Sequence, residues 1–371
     1  MDFALSDERR MLKETAERFL RDRYNIERRH AALRGESGFD IQIWQDLVEL
    51  GLPSALLPPE AGGFGGHGED ISILFEAFGR SLLVEPFLAS IMLGAWPLHL
   101  AGGQDQLLEK LLAGQLHVAF AAHEPGARYD LMHAATTFAD GKLQGHKSLV
   151  MNAAIAEHII VVARHDGAVG ARDGLGLYLV DSDAAGLIVR SYGTIDAGHA
   201  AEIYLNDCPA LCLCEEAADL IDAVAARAAL ALCAEALGAM EFCKETTVEY
   251  LKTRKQFGRP LGAFQALQHR MVDLLIEIEQ ARSATMLAAA HIDDKPISRD
   301  LHVSAAKSLV GRVAKMVAEE TIQMHGGIAM CWEYDVAHYA KRLVMIDHQF
   351  GDTDHHLERF AALSRLFDGR H

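Results

Sequence analysis

The chain has 371 residues, half of them apolar and 23% charged, and a formal net charge of -17 at pH 7. That length exceeds a single hydrophobic core and predicts two or three domains, while the acidic balance argues against nucleic acid or an anionic membrane as a partner. No run reaches the roughly 18 apolar residues of a membrane span, and Met1-Asp2-Phe3 leads straight into polar helical sequence without a signal-peptide pattern, so a cytoplasmic protein is expected. Cys208, Cys212, Cys214, Cys233, Cys243 and Cys331 stand at spacings that suit neither zinc nor a disulfide framework, and the histidines cluster only at His355-His356, near His348 and Asp354. Reduced thiols and no metal are expected.

From Leu5 to about Gly114 the apolar positions recur at helical spacing: Met11, Ala16, Phe19 and Leu20, then Ile43, Trp44, Leu47 and Leu50, then Ile71, Leu74, Phe75 and Phe78. Breaks fall at Gly35–Gly38, at the Pro58–Gly66 run and at Gly102-Gly103, which predicts an all-helical first domain over 1–116. The period then changes. His158–Ala163, Leu175–Val180, Leu187–Tyr192 and Ala201–Leu205 are short β-branched runs between Asp, Gly and Ser, predicting a small antiparallel β domain over 117–214. From 215 to 371 long helical patterns return at Ala217–Leu251, Phe264–His291, Arg299–Met324 and Asp335–Asp347, predicting a four-helix bundle. The predicted class is α+β, mostly α.

Between the first two bundle helices lies Arg254-Lys-Gln-Phe257-Gly-Arg-Pro-Leu-Gly-Ala-Phe-Gln265. A plain turn needs Gly258, Pro260 and Gly262, but not an Arg just before it or Gln265 in the first turn of the next helix, where free N–H groups favour anions. That combination suits a phosphate-rich ligand. With its surroundings, the stretch resembles the flavin-binding signature of the acyl-CoA dehydrogenase family, and the resemblance extends over essentially the whole chain. Gln323-Met324-His325-Gly326-Gly327 resembles the family's Gln-x-x-Gly-Gly, whose backbone approaches the cofactor diphosphate. Trp44, Gly51, Glu60 and Gly79-Arg80 occupy places in the family's amino-terminal domain pattern. The resemblance implies FAD held by Arg254, Phe257, Gln265, Gln323, Gly326, Gly327 and Thr353, an acyl-CoA substrate, an electron-acceptor flavoprotein and a tetramer in which each flavin lies between two subunits.

The departures are as informative. In the family's Thr-Glu-Pro-Gly-Ala-Gly-Ser-Asp stretch, Glu124, Pro125, Gly126, Ala127 and Asp130 match, whereas His123, Arg128 and Tyr129 do not. In Lys147-Ser-Leu149-Val-Met151-Asn152, Leu149 and Met151 supply neither the aromatic face nor the donor that the family places against the flavin ring. In the reaction the resemblance implies, the thioester α proton needs a carboxylate base placed within about 3 Å and shielded from water. One family position for that base coincides with Gly351, and the other falls in the Val224–Leu230 run, at Ala228 and Ala229. Asp352 is adjacent to the first, as a catalytic candidate or as a helix cap; Glu235 and Glu241 lie beyond the second and are expected at solvated or bundle-edge positions. Three readings stay open: the base-less subunit of an α2β2 pair acting on a bulky thioester such as a steroid side chain, as in steroid-catabolic lipid degradation; a homotetramer using Asp352; and a non-catalytic scaffold with the same fold.

Overall fold

The computed structural model describes residues 5–368. In chain order it runs through α1 (Asp7–Arg23), α2 (Ile26–Arg34), α3 (Ile41–Glu49) and α4 (Gly68–Ser81), a π-helix (Phe87–Ala95), α5 (Trp96–Ala101) and α6 (Asp105–Leu112). Eight strands follow: β1 (Val118–Ala121), β2 (Thr137–Ala139), β3 (Lys142–Met151), β4 (His158–Arg164), β5 (Leu175–Asp181), β6 (Leu187–Gly193), β7 (His199–Pro209) and β8 (Leu211–Cys214). The carboxyl-terminal part comprises α7 (Ala218–Thr253), the hairpin β9 (Lys255–Gln256) and β10 (Arg259–Pro260), α8 (Gln265–Ala290), α9 (Pro296–His325), α10 (Val336–Asp347) and α11 (Thr353–Asp368). The four expected bundle helices form, and α11 adds a further one. Among the described residues no helix is long and apolar enough to cross a membrane.

The chain packs as two compact units, one holding the residues up to His30, His67–Leu83 and those from Ala229, the other Ala31–Gly66 and Val84–Ala228. In the first, the Ala-rich stretch of α7 from Ala229 to Met240 is buried throughout apart from small residual exposure, because small side chains let neighbouring helices approach its backbone. Gly79 of α4 and Gly238 of α7 make the closest approach: a Cβ on Gly79 would collide with the Glu235 carbonyl, and one on Gly238 with the Glu76 carbonyl. Ion pairs flank this contact, with Arg282 bonding Glu76 (2.7 Å) and Glu241 (3.0 Å). Tyr339 of α10 donates its hydroxyl to the Arg80 carbonyl (2.7 Å).

In the second unit the strands form one eight-stranded sheet, ordered β6-β7-β3-β2-β4-β5-β8 with β1 also on β4. Most pairs are antiparallel as expected, but β1 and β2 run parallel to β4. Ile159, Val161, Tyr178, Val180, Ile203 and Leu205 share its core, with Phe138 stacked on Tyr178 at 4.0 Å. The β3–β7 register shifts between Lys147 and Val150, and Leu149 at the irregularity has φ 54° and is 58% exposed. Such a bulge re-aims side chains. Just before it, Lys147 is fully buried and its ammonium bonds Glu124 Oε1 at 2.6 Å. Glu124 also accepts from the Ala135 (2.7 Å) and Thr136 (3.0 Å) amides. Arg164 completes the clamp by donating to the carbonyls of Met132 (3.1 Å), Ala171 (2.7 Å) and Asp173 (2.8 Å). The loop from His123 to Thr136 is thus held by buried charge as well as by its buried Ala127, Leu131 and Ala134.

Two consequences are measurable by equilibrium denaturation. Gly79→Ala should destabilise by about 1–3 kcal/mol, because the α4–α7 contact leaves no room for a methyl group; an unchanged midpoint would show that the helices separate freely. Burial lowers the Lys147 pKa to about 8 although Glu124 opposes it, so each charge of the pair depends on the other. Lys147→Met should cost about 3–5 kcal/mol by stranding the carboxylate, and adding Glu124→Gln should restore about 1–3 kcal/mol. A double variant no better than the single one would contradict the pairing.

Candidate functional site

The end of α7 and the start of α8 carry the first cluster. The Tyr250 carbonyl accepts the Arg254 amide (2.8 Å) and the Arg254 carbonyl accepts the Leu261 amide (2.9 Å), closing the hairpin. Its two-residue turn is Phe257-Gly258, with φ 53° and 79°, the combination a tight primed turn demands. Phe257 is 88% exposed as a result. Arg259 lies 4.0 Å over the Phe264 ring and the Gln268 amide bonds the Gly262 carbonyl at 2.7 Å, so the hairpin is braced from below. Among the described residues Arg254 has no carboxylate partner; it is exposed, and the hairpin that follows it leads into α8, whose first helical residue is Gln265.

The α9 terminus joins this end of the bundle. Tyr250 donates its hydroxyl to the His325 carbonyl (3.2 Å) and packs on the His325 ring at 4.5 Å, while Arg270 bonds Glu320 at 2.6 Å. Gly326 and Gly327 follow at once; Gly326 has φ 73°, and a Cβ on either would meet nothing within 4 Å. Arg254, Phe257, Gln265, Gln323, Gly326 and Gly327 are therefore gathered at one bundle end, with a cation, helix-start amides and open glycine backbone. This donor set fits a diphosphate. Tyr250 and His325, which the sequence reading did not single out, tie the two segments together; an aromatic one turn before the Arg was the available signal.

Asp352 and Thr353 lie elsewhere. The turn between α10 and α11 packs on the middle of α9, where a Cβ on Gly311 would run into the Asp347 carboxylate and the Thr353 hydroxyl. At about 1.5 Å per helical residue, Gly326 is roughly 22 Å further along α9 than Gly311. Asp352 Oδ1 accepts the His355 amide (2.8 Å) and its carbonyl accepts the His356 amide (3.0 Å), the geometry of a helix N-cap on α11. The Thr353 hydroxyl donates to Asp347 Oδ1 at 2.9 Å. Gly351 has φ 109°, and a Cβ there would stand 2.5 Å from His356 Nε2 and 2.6 Å from His355 Cδ2. The two imidazoles fill the space a side chain would need.

Neither of the two glutamates beyond the second position is free to replace it. Glu235, expected at a solvated edge, is instead 7% exposed and bidentate to Arg342 at 2.6 and 2.7 Å. For Glu241, burial raises the carboxyl pKa, but Lys244 and Arg282 outweigh it and hold the group below its usual range. Held in this way, Glu241 is not shaped to accept a proton near neutrality. In the β unit His123 is partly buried, and the loss of solvent lowers its pKa to about 4, with Lys147 adding to the effect. Arg128 has φ 51°, and exposed Leu149 presents no flat face or hydrogen-bond donor. These residues do not fit a flavin ring. Among the described residues no group of three His, Cys, Asp or Glu side chains could hold a metal ion.

Family models of the acyl-CoA dehydrogenase N-terminal, middle and C-terminal domains match residues 6–115, 119–208 and 212–362. Acyl-CoA dehydrogenase IpdE2 of Mycobacterium tuberculosis is 31% identical over 338 residues, covering 91% of each chain. Among solved structures, a variant of the Tcur3481–Tcur3483 steroid ACAD superposes with a TM-score of 0.87 at 29% identity, covering 98% of this chain and 99% of that one. The FAD complex of PigA superposes with a TM-score of 0.88 at 25% identity, covering 99% of this chain and 100% of that one. With all three domain models matched in order and a relative above 30% identity along nine-tenths of its length, the chain belongs to the acyl-CoA dehydrogenase family.

Proposed function

We propose that this chain is the subunit of a heteromeric FAD-dependent acyl-CoA dehydrogenase that supplies cofactor-binding residues but not the catalytic base. The reaction removes the α proton of an acyl-CoA thioester to a carboxylate and the β hydrogen as hydride, leaving a trans-enoyl thioester. FAD, when bound, takes the hydride, and an electron-acceptor flavoprotein reoxidises it. The observation that carries the reading is the base position itself: Gly351 is walled by His355 and His356, and the neighbouring Asp352 caps α11. A second chain resembling this one, in an α2β2 assembly, provides the carboxylate and the flavin-ring wall.

Arg254, Phe257, Gln265, Gln323, Gly326 and Gly327 hold the diphosphate and adenosine end of the cofactor. The separation of about 22 Å along α9 supports a site completed by another subunit, because one chain does not bring that cluster and the Thr353 turn together. A bulky thioester is the favoured substrate, and a steroid side chain the specific candidate. Support comes from the likeness to a protein described as a steroid ACAD.

The isolated chain should bind flavin poorly, because the ring wall is missing at Leu149 and Met151; a homomer with tight stoichiometric flavin would overturn the reading. Coexpression with the neighbouring open reading frame should yield a yellow complex. In that complex Arg254→Ala should weaken flavin retention by about 1.5–3 kcal/mol, while Asp352→Asn leaves it unchanged; equal loss in both would remove Arg254 from the site. Acyl-CoA-dependent dye reduction at equal flavin content should fall by no more than about tenfold in Asp352→Asn, since a positioned general base contributes roughly 10²–10⁴. A drop of about a thousandfold or more would make Asp352 the proton acceptor and the chain a self-sufficient homotetrameric enzyme.

A further inference from the structure

The middle of α9 presents Ser304, Lys307, Ser308 and Gly311, a spacing of three, four and seven residues that puts all four on one face of the helix. That face holds the turn between α10 and α11. Lys307 is wholly buried, and its ammonium donates to the carbonyls of Ile346 (3.0 Å), Asp347 (3.0 Å) and Gly351 (2.7 Å). An ammonium has three donors, and here each meets a backbone oxygen. Two of those oxygens close α10, where the last carbonyls lack helical partners and carry the negative end of the dipole. The third belongs to the residue that occupies the family's base position.

The flanking contacts point the same way. Ser308 Oγ donates to the Thr353 carbonyl (3.0 Å). His356 Nε2 donates to the Phe350 carbonyl (2.9 Å), and its Nδ1 lies 3.3 Å from Ser304 Oγ. Gly311 leaves the room in which Asp347 and Thr353 bond each other. A buried lysine is costly, and a methionine would fill the same volume without desolvating a charge. Packing alone therefore does not account for an ammonium at this place, whereas gathering three carbonyls from both ends of one turn does.

We propose that Lys307 is the positioning residue of the 348–353 turn: from the middle of α9 it fixes the backbone that presents Gly351, Asp352 and Thr353 to the shared site. The positioning stands on this chain's own geometry, and only its catalytic bearing rests on the proposed function.

Hydrogen exchange read by mass spectrometry on the full chain, with any copurifying partner, tests it. Lys307→Met should speed exchange of the amides from 348 to 356 by about tenfold or more, while the rest of α9 and α8 change by less than about twofold. Lys315→Met, at an exposed position of the same helix, should change neither. If the methionine variant does not accumulate, Lys307→Gln, which keeps a shorter amide donor, is measured in its place with the same expectation. Unchanged exchange at 348–356, or an equal rise throughout the bundle, would overturn the proposal and leave Lys307 as a merely structural residue. In a flavin-bearing complex the absorbance bands should shift in the Lys307 variant and not in Lys315→Met; unshifted bands would refute the link from the turn to the cofactor. A complex without flavin would sink the proposed function while leaving the exchange result to stand by itself.

Discussion

A helix cannot shorten. The 30 residues of α9 set a fixed distance between its two working regions, the Gly326-Gly327 terminus and the Ser304–Gly311 face. The two groups of candidate residues in the helical unit are spaced along this rod, on it or packed against it. At one end stand a guanidinium with no carboxylate partner among the described residues, an exposed aromatic on a tight hairpin and glycine backbone open to close approach. Near the middle a turn is held by a buried ammonium, with no room for a side chain at Gly351. A rigid spacer between two incomplete sets of groups suits a site completed by other subunits, since neither set is complete where it stands.

The same division shows in how charge is used. Glu235, Glu241 and Glu124 are each tied to a cation or to backbone amides, and for Glu241 and Glu124 these partners hold the carboxyl pKa below its usual value against the effect of burial. Catalytic carboxylates are made by the opposite arrangement, burial without compensation. Arg254 is the reverse case. It has no carboxylate partner among the described residues, which suits a cation waiting for an anionic ligand.

Local patterns in the sequence made much of this legible. The β-branched runs His158–Ala163 and Leu175–Val180 became β4 and β5 almost to the residue, and Gln265 does open α8. Strand β3 was harder to read because Gly145, His146 and Lys147 interrupt its alternation, and its buried lysine is satisfied by Glu124 from a distant loop. Helix α11 was hidden for a different reason: Asp354, His355, Glu358 and Arg359 give it a polar surface, while its cap Asp352 also lay beside a possible catalytic position. The N-cap alternative for Asp352 is the one whose hydrogen bonds are present. What no pattern could give was the separation between Gly326 and Thr353, or the collision of a Gly351 side chain with two histidines. Those depend on which helix face meets which turn, and the Ser-x-x-Lys-Ser-x-x-Gly spacing on α9 acquires meaning only once the turn is seen against it.

The proposed sharing of the flavin site between unlike chains fixes the stoichiometry of the assembly. Native mass spectrometry of the flavin-loaded assembly, purified after coexpression, measures this directly. The account predicts equal numbers of this chain and a base-bearing partner, with fewer bound flavins than chains. A homotetramer of this chain alone, carrying one flavin per subunit and reduced by an acyl-CoA, would contradict it.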